Sequence, residues 1–320
     1  MVSNRERKLV SVLVLVLISY AGAAHAVWVW TPETGRWINP QNQPRETPEA
    51  QLECASQLRL AGEYEGALTE YEKLFRFYPD SDLCPEAQFQ IGQLYEAMGE
   101  YERASQEYEK VISNWRSSEL FDKVIAKQYE IADWFYQQEL ARQHRFSLFR
   151  GRYLRRAIRI YEQVIEDAPF GPAAAQAQYR IAECYFALRQ YLEATYEYQK
   201  VLDEYPSSEW AGQAMYGLGM CYYKQALPAE YDQTIARKAI EQFELFRGMY
   251  PDDPKTDEAA ARIAGLRERI ARQQLLIAQF YERTEKADSA RIYYRIVVAK
   301  YPNTDAAAKA RAKLVLADSR

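Results

Sequence analysis

Apolar and small residues recur along most of this chain at helical spacing, in two alternating forms. Between Phe170 and Pro206, the first form carries Tyr179, Ala182, Tyr185 and Phe186 on one mostly apolar side. The second carries Ala194, Tyr198 and Val201 at i, i+4 and i+7, one face of a helix. The pattern predicts two helices, a short turn at Arg189-Gln190, and a stop at Pro206. Ala182 and Ala194 fall where the two helices must approach closely, with large aromatics beside them. A hairpin with two apolar faces cannot bury both alone; it needs a copy of itself on either side.

The copies are present. Ala–x3–aromatic–x2–aliphatic–x4–Pro recurs as Ala67, Tyr71, Leu74, Pro79 and as Ala157, Tyr161, Val164, Pro169. It returns as Ala239, Phe243, Phe246, Pro251 and as Ala290, Tyr294, Val297, Pro302, while Ala104, Tyr108, Val111 is followed by Arg116 in the proline's place. The preceding helix of each pair has a small residue and an aromatic three later: Gly92/Tyr95, Ala132/Phe135, Ala182/Tyr185, Gly219/Tyr222, Ala278/Tyr281. The stop positions are spaced 37, 53, 37, 45 and 51 residues apart, so three units are lengthened. This resembles the tetratricopeptide repeat, whose period is about 34, from roughly Thr47 onward. The expected fold is an all-α solenoid of about six helix pairs plus a polar capping helix over Asn303–Asp318.

Residues 1–26 read as an export signal. Arg5, Arg7 and Lys8 precede the apolar run Leu9–Ile18, and Ala24-His25-Ala26 is an A-x-A cleavage site. An uncleaved anchor is the competing reading, weakened by Ser19, Tyr20, Gly22 and His25. Residues 27–47 form a Trp/Pro-rich lead segment. Its Val-Trp-Val-Trp alternation allows a small hairpin ending at Trp37-Ile38, as a docking segment or as a lead tucked onto the first repeats. Residues 48–320 are the repeat array, with Thr47 as N-cap, Pro48 at the first helical position and Glu49 in the first turn. Thr256 is expected to cap one long helix running to Glu282.

Charge and chemistry add two surfaces and remove most enzyme classes. The insertion in the third unit and the helix after it hold Arg142, Arg145, Arg150, Arg152, Arg155, Arg156 and Arg159, either a patch for acidic headgroups or an acidic protein, or a solvated face. The net charge of −4 and the export signal argue against nucleic acid. In the third to fifth units the first helix has an aromatic three before and four after the small residue: Tyr129 and Tyr136, Tyr179 and Phe186, Tyr216 and Tyr223. Seven residues is close to two turns, so each pair shares a face, either an aromatic trough for an extended peptide or ordinary packing. Of four cysteines, Cys184 and Cys221 occupy equivalent slots and read as small core residues; Cys54 and Cys84 could pair. No catalytic, metal or phosphate-binding motif occurs, His144 is the one histidine after the signal, and no cofactor is expected.

A narrower resemblance lies in residues 153–316. The long helix with Leu266 and Ile270, Ala278-Gln279-Phe280-Tyr281, and Arg295 before Tyr301-Pro302 are similar to the BamD (ComL) family of outer-membrane assembly lipoproteins. So are Asp232-Gln233-Thr234-Ile235-Ala236-Arg237 before Ala239 and Phe243, and Pro169-Phe170-Gly171-Pro172. Residues 48–150 add about two repeats in front, and the first cysteine is Cys54 rather than one directly after the signal. The resemblance implies a non-catalytic periplasmic scaffold whose partners are the barrel-assembly machinery and unfolded outer-membrane protein peptides, with room for peripheral membrane association. A periplasmic adaptor for cell-wall synthesis or envelope constriction is the alternative that the repeats also fit. The oligomeric state is not legible.

Overall fold

A computed structural model describes residues 29–31, 36–38, 42–141 and 151–318. They form thirteen helices and one small hairpin. The expected signal, residues 1–26, and Arg142, Arg145 and Arg150 of the expected basic patch lie outside the described residues.

Two compact units divide the chain after Leu83. The first holds the hairpin, with β1 (Val29–Thr31) antiparallel to β2 (Arg36–Ile38) and Trp30 opposite Trp37. It also holds the first helix pair, α1 (Pro48–Leu60) and α2 (Tyr64–Phe77). Thr47 Oγ1 accepts from the Ala50 amide at 3.2 Å, and Pro48 opens the helix, as the sequence predicts. Ala55, Ala67, Tyr71 and Leu74 are fully buried, so the small residues sit at the helix contact.

The second unit, from Cys84, runs α3 (Cys84–Ala97), α4 (Tyr101–Asn114), α5 (Phe121–Ala141), α6 (Arg152–Asp167), α7 (Ala174–Ala187) and α8 (Tyr191–Glu204). It continues with α9 (Ala211–Gln225), α10 (Thr234–Met249), α11 (Thr256–Arg283), α12 (Ala287–Lys300) and α13 (Asp305–Asp318). Each helix packs on the next in sequence, and α13 also rests on α11. The long α11 serves two pairs. Ile263, Leu266 and Ile270 join Phe243 and Phe246 of α10, whereas Leu275 and Ala278 join Tyr294 and Val297 of α12.

Turns between paired helices share one device. Gly62, Gly99, Arg189 and Glu285 all have left-handed φ, at 81°, 74°, 62° and 59°. The amide after each donates to a carbonyl five residues back in the preceding helix, for example Gln190 to Tyr185 at 3.0 Å, which closes the helix end. One expected cap differs. Thr256 lies inside α11 and its hydroxyl donates to the Tyr250 carbonyl at 2.8 Å, while Asp253 Oδ1 accepts from the Lys255 amide at 2.8 Å. Asp253 organises this entry and Lys255 takes the N-cap position, so the threonine is not needed as a cap.

Candidate partner-binding surface

In α4, α6, α8 and α12 a tyrosine reaches across to the first helix of its pair. Tyr108, Tyr161, Tyr198 and Tyr294 each stand four residues after the small alanine of that helix, and their rings are buried. Their hydroxyls donate to a carboxylate of the partner helix: Tyr108 to Glu96 at 2.5 Å, Tyr161 to Asp133 at 3.3 Å, Tyr198 to Glu183 at 3.0 Å and Tyr294 to Glu282 at 2.6 Å. A buried phenol needs such an acceptor, and a carboxylate fixed in this way is aimed rather than free to wander. In the fifth pair Phe243 replaces the tyrosine and Met220 stands where Glu183 stands in the fourth.

Cations from two helices further along the chain complete this row. Lys127 of α5 meets Glu96 at 3.4 Å. Arg180 of α7 lies 5.0 Å from the centroid of the Tyr136 ring and also reaches Asp133 at 3.3 Å and Glu183 at 3.8 Å. Arg262 of α11 lies 4.8 Å from the Tyr223 ring centroid and donates to its hydroxyl at 3.2 Å. Lys313 of α13 meets Glu282 at 2.9 Å. The first-helix residue four after the small residue, at 96, 136, 223 and 282, is therefore covered by a cation each time.

The six aromatic residues of the expected trough divide by depth. Tyr136, Tyr179 and Tyr216 are 6%, 5% and 7% exposed, so their rings belong to the interior. Tyr179 packs 5.1 Å from Trp210 and 5.8 Å from Tyr198, and Tyr216 packs 5.4 Å from Phe246 and 5.7 Å from Phe243. They fill the space where one helix pair meets the next. Tyr129, Phe186 and Tyr223 are half-buried, with the Tyr129 hydroxyl itself enclosed. Of the basic residues, Arg152, Arg155 and Arg159 are exposed on α6, while Arg156 is half-buried, pairs with Glu102 at 2.8 Å and lies 5.7 Å from the Phe135 centroid.

Burial governs the titratable groups of this row. Burial pushes the Tyr136, Tyr161 and Tyr198 phenols up, which keeps them protonated and donating. The Cys184 thiol is likewise raised by burial, and Cys221 is pushed up to about 12, so neither supplies a thiolate at neutral pH. Both are buried, as their shared slot predicts. Cys54 is half-buried and accepts from Arg45 Nη2 at 3.2 Å. No helix among the described residues is long and apolar enough to cross a membrane.

Sequence reading missed a second recurring set. Gln51, Gln88 and Gln178, on first helices, are buried and donate to Glu70, Glu107 and Glu197 of the second helix at 2.7, 2.6 and 2.6 Å. Those carboxylates in turn meet Lys73, Lys110 and Lys200 at 2.6, 2.7 and 3.2 Å. A constant 19-residue separation of Gln and Glu was the available signal.

Comparison with known proteins gives one repeat match, one family match and a set of solved structures. A tetratricopeptide repeat model matches residues 85–114, which is the second helix pair. No curated protein matches the chain. Solved structures similar to it include a thermophilic TPR protein of Thermus thermophilus, at 15% identity and TM-score 0.35, covering 69% of this chain and 98% of that one. A tetratricopeptide repeat protein of Parabacteroides merdae has 14% identity and TM-score 0.35, covering 84% and 98%. Pseudomonas aeruginosa pilF has 14% identity and TM-score 0.32, covering 83% and 97%. The model of YfiO, described as outer membrane lipoprotein, matches residues 133–320, starting within α5 and running through α13. That match spans more than half of the sequence, and the chain belongs to the YfiO outer membrane lipoprotein family.

Proposed function

We propose that this protein is a non-catalytic periplasmic scaffold in outer-membrane β-barrel assembly, and that it holds extended segments of protein partners along the first-helix face of the unit beginning at Cys84. Family membership supports the setting, and the repeat fold supports a protein-binding role. The observation that carries the surface is the row of fixed carboxylates and half-buried rings on α3, α5, α7, α9 and α11. Its groups are held in place before any partner arrives, which lowers the ordering cost of binding. In this reading residues 1–26 are an export signal cleaved after Ala26, residues 27–47 a lead segment, and residues 48–320 the working array. The partners are the barrel-assembly machinery and unfolded barrel substrates.

Tyr129, Phe186 and Tyr223 are the aromatic contacts of this surface, and the buried Tyr136, Tyr179 and Tyr216 support it from behind. Fluorescence anisotropy with a labelled unfolded-barrel peptide ending in Phe tests the proposal. Phe186→Ala and Tyr223→Ala should each weaken binding by about tenfold, the loss of one aromatic contact of about 1.4 kcal/mol. Unchanged affinity in both variants, with the helical signal intact, removes this face as the binding surface.

A further inference from the structure

The row of cations is broken at one step, between α7 and α9. Arg180, two residues before the small Ala182, covers Tyr136 of the preceding first helix. The residue two before the small Gly219 is Gly217, which has no side chain to offer. Phe186, four after Ala182, is the equivalent of Tyr136 and Tyr223, and among the described residues no Lys or Arg lies over it. Its ring is half-buried and makes an edge contact with Tyr191 at 5.3 Å.

Charge at this step is also incomplete. Arg180 is shared between Asp133 and Glu183, so two carboxylates meet one guanidinium. Both acids are partly exposed, with side chains at 30% and 27%. Glu183 is held from behind by the hydroxyls of Tyr136 and Tyr198, each at 3.0 Å. The chain's own Lys127, Arg180, Arg262 and Lys313 show what such a position accepts when it is filled.

The geometry points to Phe186 and Glu183 as a receptor for an arginine or lysine side chain of a bound polypeptide, which completes the row of cations from outside. This rests on the reading that the first-helix face holds extended partners. A guanidinium over the Phe186 ring gains a cation–π contact, and Glu183 supplies the opposite charge beside it. Specificity at this step is therefore for a positive residue in the segment, not for its aromatic ones.

Two synthetic peptides test the inference: one with alternating aromatic and polar residues, a C-terminal Phe and one central arginine, and a copy with citrulline in its place. Citrulline keeps the shape and removes the charge. Anisotropy titrations on the full chain at low salt should give the arginine peptide about tenfold tighter binding. Phe186→Leu and, separately, Glu183→Gln should shrink that preference to about twofold or less, with melting curves checking that each variant is folded. Equal affinity of the two peptides for the unmodified protein overturns the inference while leaving the groove reading standing. So does a tenfold preference that survives both substitutions. Failure of both peptides to bind overturns both readings.

Discussion

Replacing Gly217 and Gly265 by alanine should have opposite effects, although both are glycines inside helices. In a helix interior alanine is favoured over glycine by about 1 kcal/mol. At Gly265 of α11 an added Cβ meets nothing within 4 Å, so Gly265→Ala should stabilise by about 0.5–1 kcal/mol. At Gly217 of α9 the same atom would lie 2.5, 2.7 and 2.9 Å from Cζ, Cε1 and Cε2 of Tyr198. That ring is 1% exposed and tethered at its far end by the bond to Glu183, so it cannot swing aside. Overpacking costs about 1–3 kcal/mol, and straining the tether adds about 1 kcal/mol. After the helical gain, Gly217→Ala should lose about 1–3 kcal/mol. Urea unfolding followed by far-UV circular dichroism measures both, with the slope checking that the unfolding unit is unchanged. If both variants gain stability, Tyr198 does not lie over Gly217 and the contact between α8 and α9 is wrongly placed.

Arg189 occupies a left-handed position that Gly62 and Gly99 fill elsewhere, so Arg189→Gly should raise stability by about 1 kcal/mol in the same assay, and a loss would contradict the strain. The Glu282 carboxyl is held below its ordinary value by Lys313 and then Tyr294, as Glu258 is by Arg262 and then Tyr216. Stability from these groups is present above the unfolded carboxyl value of 4.5 and lost as pH falls through the lower folded value. The melting midpoint should thus drop on acidification below that range, and Glu282→Gln should lose less on the same change of pH; an equal loss would sink the assignment. Protein isolated from the cell envelope should begin at Val27 by intact mass, whereas a chain retaining Met1 would mean an uncleaved leader.

Much of the fold was legible because small residues and aromatics must alternate where helices meet. Ala67, Ala104, Ala157, Ala194, Ala239 and Ala290 are all buried at the predicted contacts. Val29 and Trp30 of the Val-Trp-Val-Trp alternation likewise lie in a strand that pairs with residues 36–38. The candidate surface was harder to read. Tyrosine is apolar along its ring and polar at its tip, so Tyr129 and Tyr179 look alike in sequence, yet one is half-buried and the other interior. The neighbouring pair sets the depth: Trp210 covers Tyr179. Gln88 and Glu107 fall outside the small-and-aromatic pattern, and their mutual hydrogen bond is what lets the glutamine be buried. The row of cations depended on reach across units, Arg262 to Tyr223 for example, which a spacing rule within one unit does not contain.

Site-specific photocrosslinking to an unfolded outer-membrane protein tests the central claim most directly. A photoreactive phenylalanine analogue is placed singly at Phe186 and Tyr223 on the first-helix face, and at the exposed Leu192 of α8 and Leu245 of α10 on second helices. The account predicts crosslinks from positions 186 and 223 and little from 192 and 245. Equal or stronger crosslinking from the second-helix positions would contradict it.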